Sequence, residues 1–362
     1  MTIDFIPIQF YTSFYYYTML AVVLFTVLHT QIIAIDNYLN LKYIRTTGIS
    51  LFLFVLAYIG LRPIDGVFID MVTYAKMFER FENSPNLSVE YDFLFYFLMF
   101  GASKIMTVQA FFFLCATLYV VPLFLACKKW FAQYWFYGFL MLVISFSFWA
   151  YGTNGIRNGI ATSIFLFAIS REKRRNQIVW LLVSIGMHKS MLLPAFGFFT
   201  TQINNSSSIY LKFWLISIPL SLFAGSFLET AITNLGFGDD RMGMYLTDDD
   251  FGSGYNRGFR WDFLLYSATG VVAGWYMIFK RNFKDKLYSR LFNIYLFANG
   301  FWILIITASF SNRFAYLSWF LLGIIIIYPL LKGEIFKSQH KKIGGVILGY
   351  FLFTYIMNVI LI

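Results

Sequence analysis

Residues 156–190 read IRNGIATSIFLFAISREKRRNQIVWLLVSIGMHKS, two apolar segments joined by a basic turn. From Arg157 to Arg171 is 14 residues, and from Arg174 to His188 is also 14. As helices each spans about 21 Å, short of the roughly 30 Å of hydrocarbon in a bilayer. With the basic turn on one side, Arg157 and His188 both end below the opposite surface. The flanking stretches Gly152-Thr153-Asn154-Gly155 and Gly186-Met187-His188-Lys189-Ser190 are then expected to be non-helical backbone at membrane depth, which is tolerated where it lines a watery cavity. An ionisable side chain at that depth costs about 2.5–3.5 kcal/mol on insertion scales, so Arg157 and His188 are read as a functional site.

The rest of the chain supports a membrane setting. Its 362 residues are 59% hydrophobic and 13% charged, with a mean hydropathy of +0.66, which excludes a soluble globule with an ordinary surface. Apolar runs recur to the C-terminus, and none shows the short alternating segments of a β-barrel. The fold class is therefore an all-α polytopic membrane protein. Residues 1–12 lack a basic n-region and a small-residue cleavage site, so the first span is expected to remain. Cys115 and Cys127 lie on one apolar run without zinc-site spacing and are read as core.

Basic clusters set the expected topology: Lys42/Arg45, Lys128/Lys129, Arg171 to Arg175, Lys280 to Arg290 and Lys332 to Lys342. Placing these and Lys212 in the cytoplasm gives that side 18 Lys+Arg and 4 Asp+Glu, and the other side 10 and 14. The net +10 thus reports orientation, and nucleic acid is not an expected partner. The path that satisfies this rule has both termini outside and about twelve crossings, near 14–35, 48–61, 108–127, 133–151, 157–170, 175–187, 190–202, 210–227, 262–279, 289–308, 314–331 and 343–361. A single membrane domain over 1–362 is expected, with outer loops 62–90 and 228–261. The stretch 91–106 is expected as an interfacial or re-entrant helix, because another crossing would invert every later basic loop. Short or broken helices would line a cavity facing outward.

Several side chains are candidates for that cavity. Arg157 opens a helix, so its guanidinium and the unpaired N–H groups of that turn favour an anion, diphosphate being the natural one; the plainer alternative is an arginine paired with a buried acid. Arg313, after Ser309-Phe310-Ser311-Asn312, repeats the arrangement, and a second guanidinium fork suits a doubly charged group; alone it could snorkel to the interface. His188, beside Lys189, is expected as neutral imidazole able to take a proton or bind a hydroxyl. His29 is read as a satisfied core histidine, and His340 as part of a basic loop. In the first outer loop Arg62 and Tyr74 are candidate substrate contacts, and Asp65 and Asp70 candidate bases or partners for an arginine. In the second, Arg241, Tyr245, Arg257 and Arg260 are candidate contacts for a polyanion or sugar. Its acidic runs Asp239-Asp240 and Asp248-Asp249-Asp250 lack EF-hand spacing, so no metal is expected. No phosphate-binding glycine loop suggests a nucleotide, and no cofactor is expected.

Arg62 with Asp65, Asp70 and Tyr74, then Ile156-Arg157-Asn158-Gly159-Ile160-Ala161, then Met187-His188-Lys189-Ser190 with Leu193-Pro194, and finally Asn312-Arg313-Phe314, resemble in order the EpsG-like family of bacterial polysaccharide polymerases, related in role to Wzy O-antigen polymerases. The resemblance implies a glycosyltransferase of the inner membrane with a GT-C-like fold. It would join undecaprenyl-diphosphate-linked oligosaccharide units, as both donor and acceptor, on the periplasmic side, with a chain-length regulator as a possible partner. A flippase or transporter of the same lipid-linked oligosaccharide is the alternative, since it too needs a polar cavity at depth.

Overall fold

A computed structural model describes residues 2–84, 86, 92–234, 258–308 and 311–361, with side chains except over 226–234. Every regular element among them is helical. Seven helical stretches are long and apolar enough to cross a bilayer: Ile8–Ile32, Tyr38–Gly60, Val108–Val143, Ser207–Gly225, Trp261–Lys280, Asn312–Lys332 and Gln339–Ile360. The other five segments of the twelve-crossing path form shorter, broken or more polar helices. The chain forms two compact units, one of residues 1–191 with 330–362 and the other of residues 192–329.

The first unit begins with α1 (Tyr11–Ile32) and α2 (Tyr38–Gly60). Asn37 caps α2 by accepting from the Leu39 amide at 2.8 Å, supplying one of the partners a helix start lacks. At the far end of this pair Tyr11 and Tyr58 stack at 4.3 Å, and each hydroxyl donates to the other's carbonyl at 2.9 and 2.8 Å. Next come α3 (Ile69–Asn83) and α4 (Phe93–Ser103). The sequence reading left 62–90 as a loop, yet Met71, Tyr74, Ala75 and Phe78 form a buried stripe at helical spacing, which is what holds α3 as a helix. With 11 residues α4 is about 16 Å long, half the hydrocarbon thickness.

Then follow α5 (Val108–Phe131), α6 (Trp135–Val143), α7 (Phe148–Thr153), α8 (Ile156–Ile169) and α9 (Arg174–Met187). Pro122 interrupts the hydrogen-bond ladder of α5, and the Ser163 hydroxyl on α8 donates to the nearby Tyr119 carbonyl. The expected crossing at 133–151 is broken into α6 and α7. Ser145 and Ser147 lie in the break, where serine favours local turns over helix. All nine residues of α6 are buried, so it is a core helix.

The second unit holds α10 (Leu192–Ile203), α11 (Ser207–Asn234), α12 (Trp261–Trp275), α13 (Lys286–Leu304) and most of α14 (Asn312–Lys332). Its centre is a polar knot. Asn299 accepts from the Trp214 indole at 2.8 Å and donates to the Ser267 and Ser318 hydroxyls at 3.0 and 2.9 Å, while the Trp319 indole donates to Ser267 at 2.7 Å. Four helices are thereby joined with buried polar groups satisfied.

The last helix, α15 (Gln339–Tyr355), belongs to the first unit and packs on α1. Here the reading of His340 as a loop residue is corrected. It starts α15, is 5% exposed, and its Nε2 lies 2.6 Å from the Tyr137 hydroxyl. Its Nδ1 meets the Ile33 carbonyl. Tyr137 also donates to Asn40 Oδ1 at 2.7 Å, and His29 Nε2 lies 3.1 Å from the same oxygen. His29 is thus a partnered core histidine.

Candidate functional site

The short helices α8 and α9 present Arg157 and His188 to one place. Gly155 precedes α8, and Gly159 lets the first turn of α8 lie against the end of α7. A Cβ at Gly159 would come within 2.6 Å of the Tyr151 carbonyl oxygen. Arg157, the second residue of α8, is therefore pinned by backbone-to-backbone approach. At its C-terminus α9 stops at His188, whose backbone is extended (φ −154°, ψ 121°). The chain then makes a single turn over Lys189–Met191.

What joins these two ends is Asp92, a residue the sequence reading did not single out. It precedes α4 in the left-handed region (φ 51°, ψ 39°), which aspartate tolerates better than most residues. Its side chain is 4% exposed. Oδ2 accepts from Arg157 Nη1 at 2.6 Å, and Oδ1 from the Lys189 backbone N–H at 2.7 Å. His188 Nε2 lies 4.0 Å from Oδ2. One carboxylate thus ties the start of α8 to the turn after α9.

Two tyrosines complete the surround. Arg157 Nη1 also meets the Tyr96 hydroxyl at 3.2 Å, and the guanidinium lies over the rings of Tyr96 and Tyr74 at 5.5 and 5.9 Å. Tyr74 is hydrogen-bonded to Arg157 and packs against Phe95 at 5.2 Å. Aromatic faces favour a cation and restrict its rotation. The Arg157 and His188 side chains keep 18% and 16% exposure. With the histidine neutral, Asp92, Arg157 and Lys189 leave one net positive charge. The arginine is both paired with a buried acid and part of a cationic group, so the two readings of Arg157 meet in one arrangement.

The histidine's hydrogen bonds define its tautomer. The Ser190 backbone N–H donates to His188 Nδ1 at 3.2 Å, and the Ser190 hydroxyl lies 2.7 Å from the same atom. An amide N–H cannot accept, so Nδ1 carries the lone pair, and neutral imidazole bears its proton on Nε2.

The remaining candidates are placed less centrally. Arg62 is 1% exposed, donates to the Ile59 carbonyl and sits against the Phe68 ring at 5.5 Å, and its Nε lacks a partner. Burial pulls its guanidinium down to about 10, still a cation at neutral pH. The structure places it among core side chains, where it braces the end of α2, and not as the direct substrate contact expected. Asp65 accepts from the Val67 amide at 2.9 Å, a local turn that leads into α3. Asp70, in the first turn of α3, acts electrostatically on both Arg62 and Tyr74 and stands one helical turn before Tyr74. Arg313 is exposed near the start of α14. Arg260 forms a two-pronged pair with Asp262 at 2.9 and 2.6 Å and stacks on Phe263 at 3.7 Å. That pairing raises its already high basicity. Arg241, Tyr245, Arg257 and the acidic runs at 239–250 lie outside the described residues. Among the described residues no three His, Cys, Asp or Glu side chains are grouped to hold a metal.

Asp92 carried a signal in the sequence. Like Arg157, it is an ionisable residue at the edge of an apolar run, Phe93 to Phe100. Tyr96, one turn further on, was hidden in an aromatic-rich segment.

A model of the EpsG family matches residues 45–362, and the chain belongs to that family. No curated protein and no solved structure matches the chain. Membership, with the apolar helices, points to a membrane protein of polysaccharide biosynthesis in a family associated with glycosyltransferase-like polymerases.

Proposed function

Proceeding from membership of the EpsG family, we propose that this protein is a surface-polysaccharide or O-antigen polymerase. It joins undecaprenyl-diphosphate-linked repeat units on the periplasmic side of the bacterial inner membrane. The observation that carries the reading is the convergence of Arg157, His188 and Lys189 on Asp92 at the ends of two helices too short to span the bilayer. Twelve crossings in a GT-C-like arrangement, with a cavity opening outward and to the lipid, would bring a lipid diphosphate to that place.

In the reaction the anomeric C–O bond of the growing chain breaks, and its electron pair goes to the diphosphate oxygen. A hydroxyl of the incoming unit forms the new bond to that carbon and gives its proton to a base, His188 or a carboxylate such as Asp70 or Asp65. Arg157, with Lys189 beside it and Arg313 as a second fork, stabilises the charge gathering on the departing diphosphate. Tyr74 and Tyr96 hold the guanidinium plane, and Arg241, Tyr245, Arg257 and Arg260 contact the glycan. No cofactor is needed, because the lipid diphosphate is its own activated leaving group. A chain-length regulator is the expected protein partner.

The test is purified full-length protein in vesicles with lipid-linked repeat units. A ladder of glycan lengths supports the reading. Movement of the unit across the bilayer without new linkages would replace it by a flippase.

A further inference from the structure

Imidazole is the usual choice for taking a hydroxyl proton near neutrality, and His188 is the histidine at this site. Its surroundings argue otherwise. The groups facing it are the Ser190 amide and hydroxyl at Nδ1 and the Asp92 carboxylate on the Nε2 side, with Arg157, Lys189, Tyr96 and Tyr74 around that carboxylate. The Ser190 amide takes up the Nδ1 lone pair. Nε2 carries the proton and is directed toward Asp92 Oδ2, which at 4.0 Å is beyond hydrogen-bond length and aligns the ring electrostatically. A ring held this way has no lone pair to offer an acceptor hydroxyl. It has an N–H to offer an anion.

Resting on the polymerase reading, we infer that His188 is a hydrogen-bond donor to the departing diphosphate and that Asp92 is the positioning residue that aims it. Asp92 does so in two ways. It favours the Nε2–H tautomer, and through the Lys189 amide it clamps the turn that carries His188 beside Arg157. Arg157 and the Nε2–H then face the same developing charge from α8 and from the end of α9. The hydroxyl proton passes to Asp70, which shares a face of α3 with Tyr74, itself in contact with Arg157. The balance is unchanged: the diphosphate leaves with the bonding pair, and the carboxylate receives the proton.

Two substitutions separate donor from base. His188→Gln places an amide N–H near the position of Nε2, whereas His188→Asn keeps an acceptor for the Ser190 amide and loses the outer donor. In the vesicle assay the glutamine variant is expected to extend chains within about tenfold of wild type, and the asparagine variant to fall about 10²-fold, the usual loss of one charge-stabilising donor. Asp92→Asn should fall with His188→Asn, and Asp92→Glu should recover part of the loss. The wild-type rate should show no rising limb across the ordinary imidazole range near about 6.5. If both His188 variants are dead and wild type does show that limb, His188 is the base and the inference fails. Two variants of wild-type rate would make the ring merely structural, which also overturns it. Should either variant fail to insert, the wild-type pH profile decides by itself. Absence of a ladder from wild type is a different result, for it defeats the polymerase reading and leaves the tautomer untouched.

Discussion

His188 and His340 stand in the same unit and differ in the backbone group each ring meets. At His188 Nδ1 faces an amide N–H, so the proton sits on Nε2. At His340 Nδ1 faces the Ile33 carbonyl, which can only accept, so the proton sits on Nδ1 and the Nε2 lone pair is covered by the Tyr137 hydroxyl. The second ring is closed in by Asn40, Tyr137 and His29, neutral side chains on three other helices. The first is half-buried among a carboxylate, a guanidinium and the turn carrying Lys189. A histidine whose partners are neutral and complete knits helices together. One whose partners are charged and whose outer nitrogen holds a proton is set up to meet a ligand. Residue type alone does not distinguish the two, and the identity of the partners does.

The harshest way to break this contrast is at Arg157. Arg157→Ala should stop chain extension by more than about 10³-fold, the scale seen when a key charge-stabilising group is lost. It also strands Asp92, and breaking a buried pair costs about 3–5 kcal/mol, so its melting temperature should fall. Arg157→Ala with Asp92→Asn should recover much of the melting temperature and none of the ladder. A double variant that polymerises would show that the charged cluster is as structural as the neutral one.

Much of the charged cluster was legible because a charge inside an apolar run is a one-dimensional signal. Arg157 and His188 declared themselves by interrupting helices of 14 residues, and α8 and α9 run close to the bounds that spacing implied. Asp92 escaped because it sits just past a polar stretch, and its partner is 65 residues away. Only the folded chain brings them together. The burial of Arg62 was invisible for a similar reason, since an arginine after a span reads as interfacial until Phe68 is known to cover it. His340 was hidden by the basic residues around it, because Lys337, Lys341 and Lys342 mask the helical face that His340, Ile343 and Ile347 bury. The amphipathic stripe of α3 was present in the sequence and was outweighed by its charges.

A milder comparison uses one substitution in both regions. Gly159→Ala places a Cβ 2.6 Å from the Tyr151 carbonyl, and Gly344→Ala places one 2.0 Å from Thr30 Oγ1 beside the His29–His340 cluster. Each should cost about 1–3 kcal/mol by overpacking, read as a lower melting temperature. The first should also slow extension by about 10²-fold, because a shift of the first turn of α8 misplaces Arg157. The second should leave the rate of the surviving folded protein as it was. Equal effects on rate would erase the distinction. Smaller still, Tyr137→Phe leaves the buried Nε2 of His340 uncovered and should cost about 1–3 kcal/mol without altering the ladder.

The smallest effect is expected where charge lies outside both clusters. Lys129 and Glu172 form an ion pair between the end of α5 and the turn before α9, with 43% and 77% of their side chains exposed. Lys129 hydrogen-bonds the Glu172 carboxylate and holds it below the ordinary glutamate range. A depressed carboxylate stabilises the fold above its unfolded value, and that contribution is lost as the pH falls through the folded one. The pair is therefore complete at pH 7 and disappears only under acid. Water and salt screen an exposed pair of this kind. Glu172→Gln should thus leave both melting temperature and ladder within error of wild type at pH 7, with the same result at high and low salt. A measurable loss of chain extension would mean that charge on the turn between α8 and α9 reaches the site through those two short helices, and that Arg157 and His188 are less firmly fixed by Asp92 than their hydrogen bonds indicate.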